Sequence, residues 1–252
     1  MKTTSFAQTD VGLRREHNED AYLVDEELGL YAVADGMGGH AAGEVASAEA
    51  VETVRDTLLA QIHVFNDFEA DPNNENADAL RRVMEQSIRL AAYQVFGMSE
   101  IDPSRKGMGT TMSAMLLRPA ATFIAHVGDS RIYMLRGNRT ALVTQDHTYV
   151  AAMVASGKMT AEQASKSKYS NVLLRAVGSK DYVEVETRML RHETGDIFLL
   201  CSDGMHGYFK GDDVSRLVNS ADLDGSMQRL IKLALDRGGK DNITGILVRV
   251  DP

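Results

Sequence analysis

Apolar positions recur along this chain in two rhythms, and the switches between them sketch the fold. Short apolar runs at residues 21–24 and 29–34 flank an acidic turn and predict two strands. Val51, Val54, Leu58 and Ile62 then recur at helical spacing, as do Leu80, Met84, Ile88, Ala91 and Val95. These predict two long helices joined by a polar loop over residues 71–76. Next the rhythm shortens. Residues 110–117, 121–127, 132–135 and 140–143 are apolar or β-branched, are separated by turn residues, and predict a strand meander. Val150, Met153 and Val154 share a helical face that Gly157 ends, and Thr160 with Gln163 has the spacing of a capping box. Strands follow at 183–190 and 197–201, then a helix with Met227, Leu230, Ile231 and Ala234 on one stripe, then a closing strand at 243–250.

Blocks of strands beside pairs of helices do not read as βαβ units. They predict an α+β fold of antiparallel sheets with helices on the outer faces. No internal repeat or Pro/Gly/Ser-rich linker divides the chain, so one domain over residues 1–252 is expected.

Composition narrows the class. A chain of 252 residues with 44% hydrophobic and 25% charged residues is ordinary for a globular protein. The net charge of −9 disfavours non-specific binding to nucleic acid or anionic lipid. The one cysteine, Cys201, ends the apolar run 197–200 and reads as a core thiol. The N-terminus has no apolar signal core, and no stretch approaches the ~20 apolar residues of a membrane span. A soluble, cytoplasmic protein with no membrane insertion and no nucleic-acid partner is expected.

Candidate chemistry lies in where the acidic residues fall. Asp35 follows the apolar run 30–34 and precedes Gly36, Asp203 follows 198–202 and precedes Gly204, and Asp129 follows 123–128. Asp241 stands directly before the last strand, and Glu19 and Asp20 before the first. Taken singly, each is an ordinary turn or loop residue. Together they place carboxylates at the ends of buried strands, where several can converge on one edge. Converging carboxylates repel unless cations lie among them, and oxygen-only ligands favour hard ions such as Mg²⁺ or Mn²⁺. A rival reading is dinucleotide binding, because Gly36-x-Gly38-x-x-Ala41 lies between a strand and a helix. Asp35 would then stand beside a pyrophosphate, and the helices that follow do not lead into a parallel strand.

The ordered set resembles the metal-dependent, type 2C serine/threonine protein phosphatase family in its bacterial, one-domain form. The resemblance is carried by Asp10-x-Gly12-x-x-Arg15-x-x-Asn18-Glu19-Asp20, residues 33–40 around Asp35-Gly36-Met37-Gly38-Gly39-His40, and Gly107-x-Gly109-Thr110-Thr111. It continues through Val127-Gly128-Asp129-Ser130-Arg131, Asp146-His147, Cys201-Ser202-Asp203-Gly204 and Asp241-Asn242-Ile243-Thr244. It implies a four-layer αββα sandwich of two antiparallel sheets flanked by helices, with a small flap over roughly 145–177. It also implies hydrolysis of phosphoserine and phosphothreonine in proteins by a water or hydroxide between two divalent cations, Mn²⁺ or Mg²⁺, reversing serine/threonine kinase signalling. By the same resemblance Asp35 bridges two metals, the Gly36 carbonyl binds the second, and Asp203 and Asp241 bind the first. Glu19 and Asp20 act through metal-bound water, Asp129 with Asp203 holds a weaker third metal, and Arg15 grips the substrate phosphate. Phosphoproteins that are targets of a bacterial serine/threonine kinase are the implied partners, and a monomer is expected. A relative that has lost catalysis and only binds is the other class to be separated.

One departure concerns the general acid. Many eukaryotic members carry a histidine after the Asp-Gly pair, whereas here Met37 stands there and donates no proton. His40 and a metal-bound water are the two candidates. His126 reads as a packed strand residue and His147 as a residue that orders its loop. Lys166 and Lys168 form a basic pair in the flap that could attract phosphopeptides.

Overall fold

The computed structural model describes residues 2–38 and 42–252. Strands β1 (Thr3–Asp10), β2 (Asp20–Asp25) and β3 (Leu30–Met37) lead into helices α1 (Ala42–Ala60), α2 (Ile62–Ala70) and α3 (Asn74–Ile101). Then come β4 (Gly109–Thr110), β5 (Met112–Arg118), β6 (Ala121–Val127), β7 (Arg131–Arg136) and β8 (Arg139–Leu142). Helices α4 (Tyr149–Ala155) and α5 (Ala161–Ser165) precede β9 (Glu186–Leu190) and β10 (Ile197–Cys201). Helices α6 (Asp203–His206), α7 (Asp213–Leu217) and α8 (Leu223–Asp236) precede the final strand β11 (Ile243–Val250).

The strands form two antiparallel sheets, ordered β1-β11-β10-β7-β8 and β2-β3-β5-β6-β9, with β4 beside β3. Three apolar layers separate four layers of structure. Between the sheets lie Tyr31, Val33, Met115, Ile124, Phe198, Leu200, Ile246 and Val248. The second sheet turns Leu30, Ala32, Leu116 and Phe123 toward Val54, Leu58, Leu80, Met84 and Ile88 of α1 and α3. The first sheet turns Leu199 and Leu247 toward Met227, Leu230 and Ile231 of α8. Alternate residues of β3 and β10 thus serve two different cores, and this is why those strands read as unbroken apolar runs. Each such side chain, fully removed from water, stabilises the fold by about 1.5–3 kcal/mol.

The four-layer αββα sandwich expected from the sequence is the architecture observed. Several local expectations are corrected. The predicted meander is divided: β5 and β6 pair in one sheet, while β7 and β8 lie in the other. The chain crosses between sheets at Gly128, whose φ of +108° places it in the region that favours glycine. Ile62 does not continue α1 but opens α2, a separate helix. The polar loop shrinks to residues 71–73, because the Asn73 side chain accepts the amide of Asn76 and caps α3. β1 was not anticipated. It pairs with β11 over its whole length and stays half-exposed, so it lacks a buried run to mark it. The strand predicted over 183–190 starts only at Glu186. The capping box at Thr160 and Gln163 is present in both directions.

Candidate active site

The ends of β3, β10 and the segment before β11 meet at one edge of the sandwich. Asp35 ends the apolar part of β3, and its backbone is held on both sides. Its amide donates to Thr111 Oγ1 (2.9 Å), and its carbonyl accepts from the Thr111 amide (2.9 Å) and from Thr110 Oγ1 (3.0 Å). Asp203 opens α6 directly after β10. Asp129 sits in the crossing between β6 and β7, where its carbonyl accepts from His206 Nε2 (2.8 Å). Asp241 precedes β11. These four carboxylates, with Arg15, Glu19, Gly36 and Met37, line one cavity of about 280 Å³.

Close backbone approach draws the edge together. A Cβ on Gly36 would collide with the carbonyls of Gly43 and Glu19, and a Cβ on Gly204 with the Asn242 carbonyl. Glycine at these two places lets the loops carrying the carboxylates stack backbone on backbone.

The loop that carries Arg15 is fastened by Asn242. That buried side chain accepts from the Glu19 amide (2.9 Å) and donates to the carbonyls of Val11 (3.0 Å) and His17 (2.9 Å). In the sequence an Asn before a strand reads as a loop end, and only the folded Arg15 loop gives it this role. Arg15 itself extends its fork to Asp241, with Nε to Oδ1 and Nη2 to Oδ2 both at 2.9 Å, and lies 3.5 Å from Glu19.

Electrostatics fit a site built to receive positive charge. Burial, and then the neighbouring charges of Asp20, Asp203 and Asp129, hold the Asp35 carboxyl well above its ordinary pKa. Asp203 is raised by burial and by Asp241. Burial, then Asp203 and Asp146, push Asp129 up to about 7. Asp20 lies behind the cavity, where Ser202 Oγ donates to its Oδ2 (2.8 Å). Its other oxygen is buried without a partner, and burial raises the carboxyl to about 6. Among the described residues, no three His, Cys, Asp or Glu side chains close on a point without adjustment, and Asp241 is drawn toward Arg15. The donors are all oxygens, they repel one another, and one buried oxygen is orphaned. That chemistry fits hard divalent cations.

Other expectations resolve as follows. His40 and Ala41 lie outside the described residues. Dinucleotide binding is ruled out by topology, since β3 pairs antiparallel with both β2 and β5 and begins no βαβ unit. Cys201 is fully buried, and burial pushes its thiol pKa far up, as suits a core residue. His126 is buried in β6, stacks on His147 at 4.8 Å, and is lowered by burial to about 4. His147 orders its loop: its amide donates to the Gly128 carbonyl (2.8 Å), and its Nδ1 accepts from the Gly128 amide (3.2 Å). Lys166 and Lys168 are both exposed and make only surface contacts. Lys166 pairs with Glu162 (2.7 Å), and Lys168 lies 5.0 Å over the Tyr169 ring. From the segment expected as a flap, Asn171 and Leu173 line the carboxylate cavity, held there because Leu173 bridges to Thr148 and the Leu174 amide donates to the His147 carbonyl (2.7 Å).

Comparison with known proteins gives a consistent answer. Residues 13–248 match the family model for protein phosphatase 2C. The chain is 34% identical over 244 residues to serine/threonine protein phosphatase PstP of Mycobacterium tuberculosis, covering 97% of this chain and 44% of that protein. It is 34% identical over 248 residues to serine/threonine phosphatase stp of Listeria monocytogenes serotype 4b, covering 97% of this chain and 94% of that protein. The fold superposes with a TM-score of 0.80, at 32% identity and 99% coverage of each chain, on the catalytic domain of PstP in complex with two manganese ions.

Proposed function

Since the chain belongs to the protein phosphatase 2C family, we propose that it hydrolyses phosphoserine and phosphothreonine in proteins, with Mn²⁺ or Mg²⁺ as cofactor. The observation that carries this reading is the cavity in which Asp35, Asp129, Asp203 and Asp241 stand together with Arg15. Asp35, Asp203, Asp241 and the Gly36 carbonyl are the groups that would hold two cations. Asp129 with Asp203 would hold a third, and Glu19 and Asp20 would hold their water. When bound, such cations supply the charge that lowers the pKa of a water and neutralises phosphoryl oxygens.

The chain's own residues supply the rest. Thr110 and Thr111 fix the backbone of Asp35, and the stacked glycine loops hold the neighbouring chain segments, while Asp241 and Arg15 are the groups that must separate. Arg15 offers planar, paired donors that match two oxygens of a phosphate. In this structure Asp241 occupies that fork, so Arg15 neutralises a carboxylate that would hold a cation. The net reaction adds water across the ester bond, releasing inorganic phosphate and a serine or threonine hydroxyl. The activity opposes a serine/threonine kinase. The carboxylate ring also argues against a relative that only binds, because a binding surface has no need of so many buried, repelling charges.

Two expected outcomes follow from this reading. Chelation with EDTA should reduce turnover of p-nitrophenyl phosphate and of phosphothreonine peptides to background, and added Mn²⁺ should restore both. Turnover that persists in chelator would refute the metal-dependent reading, and turnover of the small ester without any phosphopeptide would refute the protein substrate. Arg15→Lys should lower kcat/KM roughly 10–100-fold, because a point charge replaces the paired fork. A wild-type value would remove Arg15 from phosphate binding.

No helix among the described residues is long and apolar enough to cross a membrane. We assign the cytoplasm as its compartment on the enzyme's proposed pairing with a kinase.

A further inference from the structure

The first sheet ends at β8, so among the described residues one edge of that strand has no strand beside it. Register decides which groups are left over. Across the turn at Gly137 and Asn138, Arg136 stands opposite Arg139, Leu135 opposite Thr140, Met134 opposite Ala141, and Tyr133 opposite Leu142. One step on, the Val143 amide donates to the Ile132 carbonyl (2.8 Å). Bonded and non-bonded pairs alternate along an antiparallel ladder. Residues 139, 141 and 143 therefore bond to β7, and Thr140 and Leu142 turn their N–H and C=O groups outward. All four residues of β8 are exposed.

The same two residues border a groove of mixed aromatic, aliphatic and polar lining. Thr140 and Leu142 line a cavity of about 310 Å³ together with Arg131, Tyr133, Phe209 and Val214. Tyr133 and Phe209 meet edge to face at 6.1 Å, and Leu142 is 46% exposed. Cross-strand pairing explains the juxtaposition, because Thr140 and Leu142 project on the same face as Leu135 and Tyr133 opposite them. A strand added to β8 would project alternate side chains over that face, into the groove. Charge selects the partner further. Arg139 is exposed and makes no ion pair among the described residues, whereas Arg136 is engaged by Glu193 (2.6 Å) and Asp196 (2.7 Å). Exposed strand edges are ordinarily blunted or covered. This one offers the outward backbone groups of Thr140 and Leu142 and a groove on one face of the sheet, with the exposed Arg139 on the opposite face.

We propose that β8 and its groove dock an extended segment of a partner protein. The segment adds as a strand to β8 and seats one aromatic or long aliphatic side chain against Tyr133, Phe209 and Leu142. It also sets a carboxylate against Arg139. No residue lines both this groove and the carboxylate cavity, so docking leaves the catalytic site open to a phosphorylated residue.

The test uses a fluorescein-labelled nonapeptide of alternating valine and threonine with a central phenylalanine and one glutamate. Anisotropy should report saturable binding with a Kd of roughly 10–100 µM, the scale of a short peptide that must order on binding. Amide hydrogen exchange at Thr140 and Leu142 should slow about tenfold or more on binding, with Ala141 unchanged, because only outward amides gain a partner. Leu142→Pro removes an outward donor without touching the β7 ladder, and Leu142→Lys places charge in the slot. Both should weaken binding at least tenfold while keeping wild-type turnover of p-nitrophenyl phosphate, which separates this surface from the catalytic reading. Undiminished binding to both variants, or no slowing at Thr140 and Leu142 at about 1 mM peptide, would overturn the proposal. So would a dimer of this chain that Leu142→Pro dissolves, since the edge would then belong to a second copy.

Discussion

Replacing Asp35 by Asn is expected to lower kcat for phosphomonoesters roughly 10³-fold or more, the scale of losing a pivotal electrostatic group, and yet to stabilise the metal-free protein. The two effects share one cause. The Asp35 backbone is fixed by Thr110 and Thr111 through main-chain contacts that an Asn side chain leaves alone. The substitution therefore removes the charge and leaves the backbone position in place. Burial first, and then the neighbouring Asp20, Asp203 and Asp129, hold that carboxyl well above the ordinary carboxylate pKa. Without cations the charge is a liability of about 1–2 kcal/mol or more, so the metal-free variant should melt a few degrees higher than wild type. With Mn²⁺ the order should reverse if Asp35 is the ligand proposed above, because the ion would stabilise the fold through it. Thermal melts with and without Mn²⁺, paired with turnover of p-nitrophenyl phosphate, check both halves. A variant that loses activity and is also less stable without metal would mean that Asp35 supports the fold rather than the chemistry.

The parts of this molecule legible in its sequence are those with one dominant physical cause. α3 and α8 show their apolar stripes because one face packs and the other meets water. β3 and β10 show as unbroken apolar runs because both faces are buried. The acidic residues at their ends were legible as a group, since a carboxylate after such a run has a fixed address. Features that depend on distant partners were not legible. The half-exposed β1 is a strand only because β11 lies beside it. Whether β7 continues the β5–β6 hairpin or joins the other sheet is decided at Gly128, and nothing local to the strands records it. Asn242 looks like any loop asparagine until the Arg15 loop folds onto it. Lys166 and Lys168 read as a charge pattern, but their surface contacts with Glu162 and Tyr169 depend on the local fold. The cavity is lined from the flap by Asn171 and Leu173, whose position follows from a bridge between residues far apart in sequence.

The stabilisation conferred by Mn²⁺ should grow steeply with pH, and the sign follows from the same cluster. Asp129 is raised to about 7 and Asp20 to about 6, and Asp35 and Asp203 are also raised, burial being the first cause in each case. A carboxylate with a raised folded pKa binds more protons folded than unfolded through the interval between its two values. Its contribution to stability is fully present below the unfolded value of about 4 and is lost as pH rises through the folded value. In the metal-free protein this cluster therefore loses stability between about pH 4 and pH 7. The buried His126 and His206 act the opposite way. Burial lowers them to about 4 and about 3, so their contribution is present above the ordinary histidine range and is lost as pH falls through those values. The metal-free curve alone thus mixes the two. The difference between melts with and without Mn²⁺ isolates the carboxylates, because cations replace the protons that hold them together and binding releases those protons. That difference should rise by about 1–3 kcal/mol per pH unit between about pH 5.5 and pH 7.5, seen as a Tm increment of several degrees. Asp129→Asn should flatten the slope, since one of the displaced protons is gone. A Mn²⁺ increment independent of pH would mean that the carboxylates are already ionised in the metal-free fold, and the raised values would then have to be abandoned.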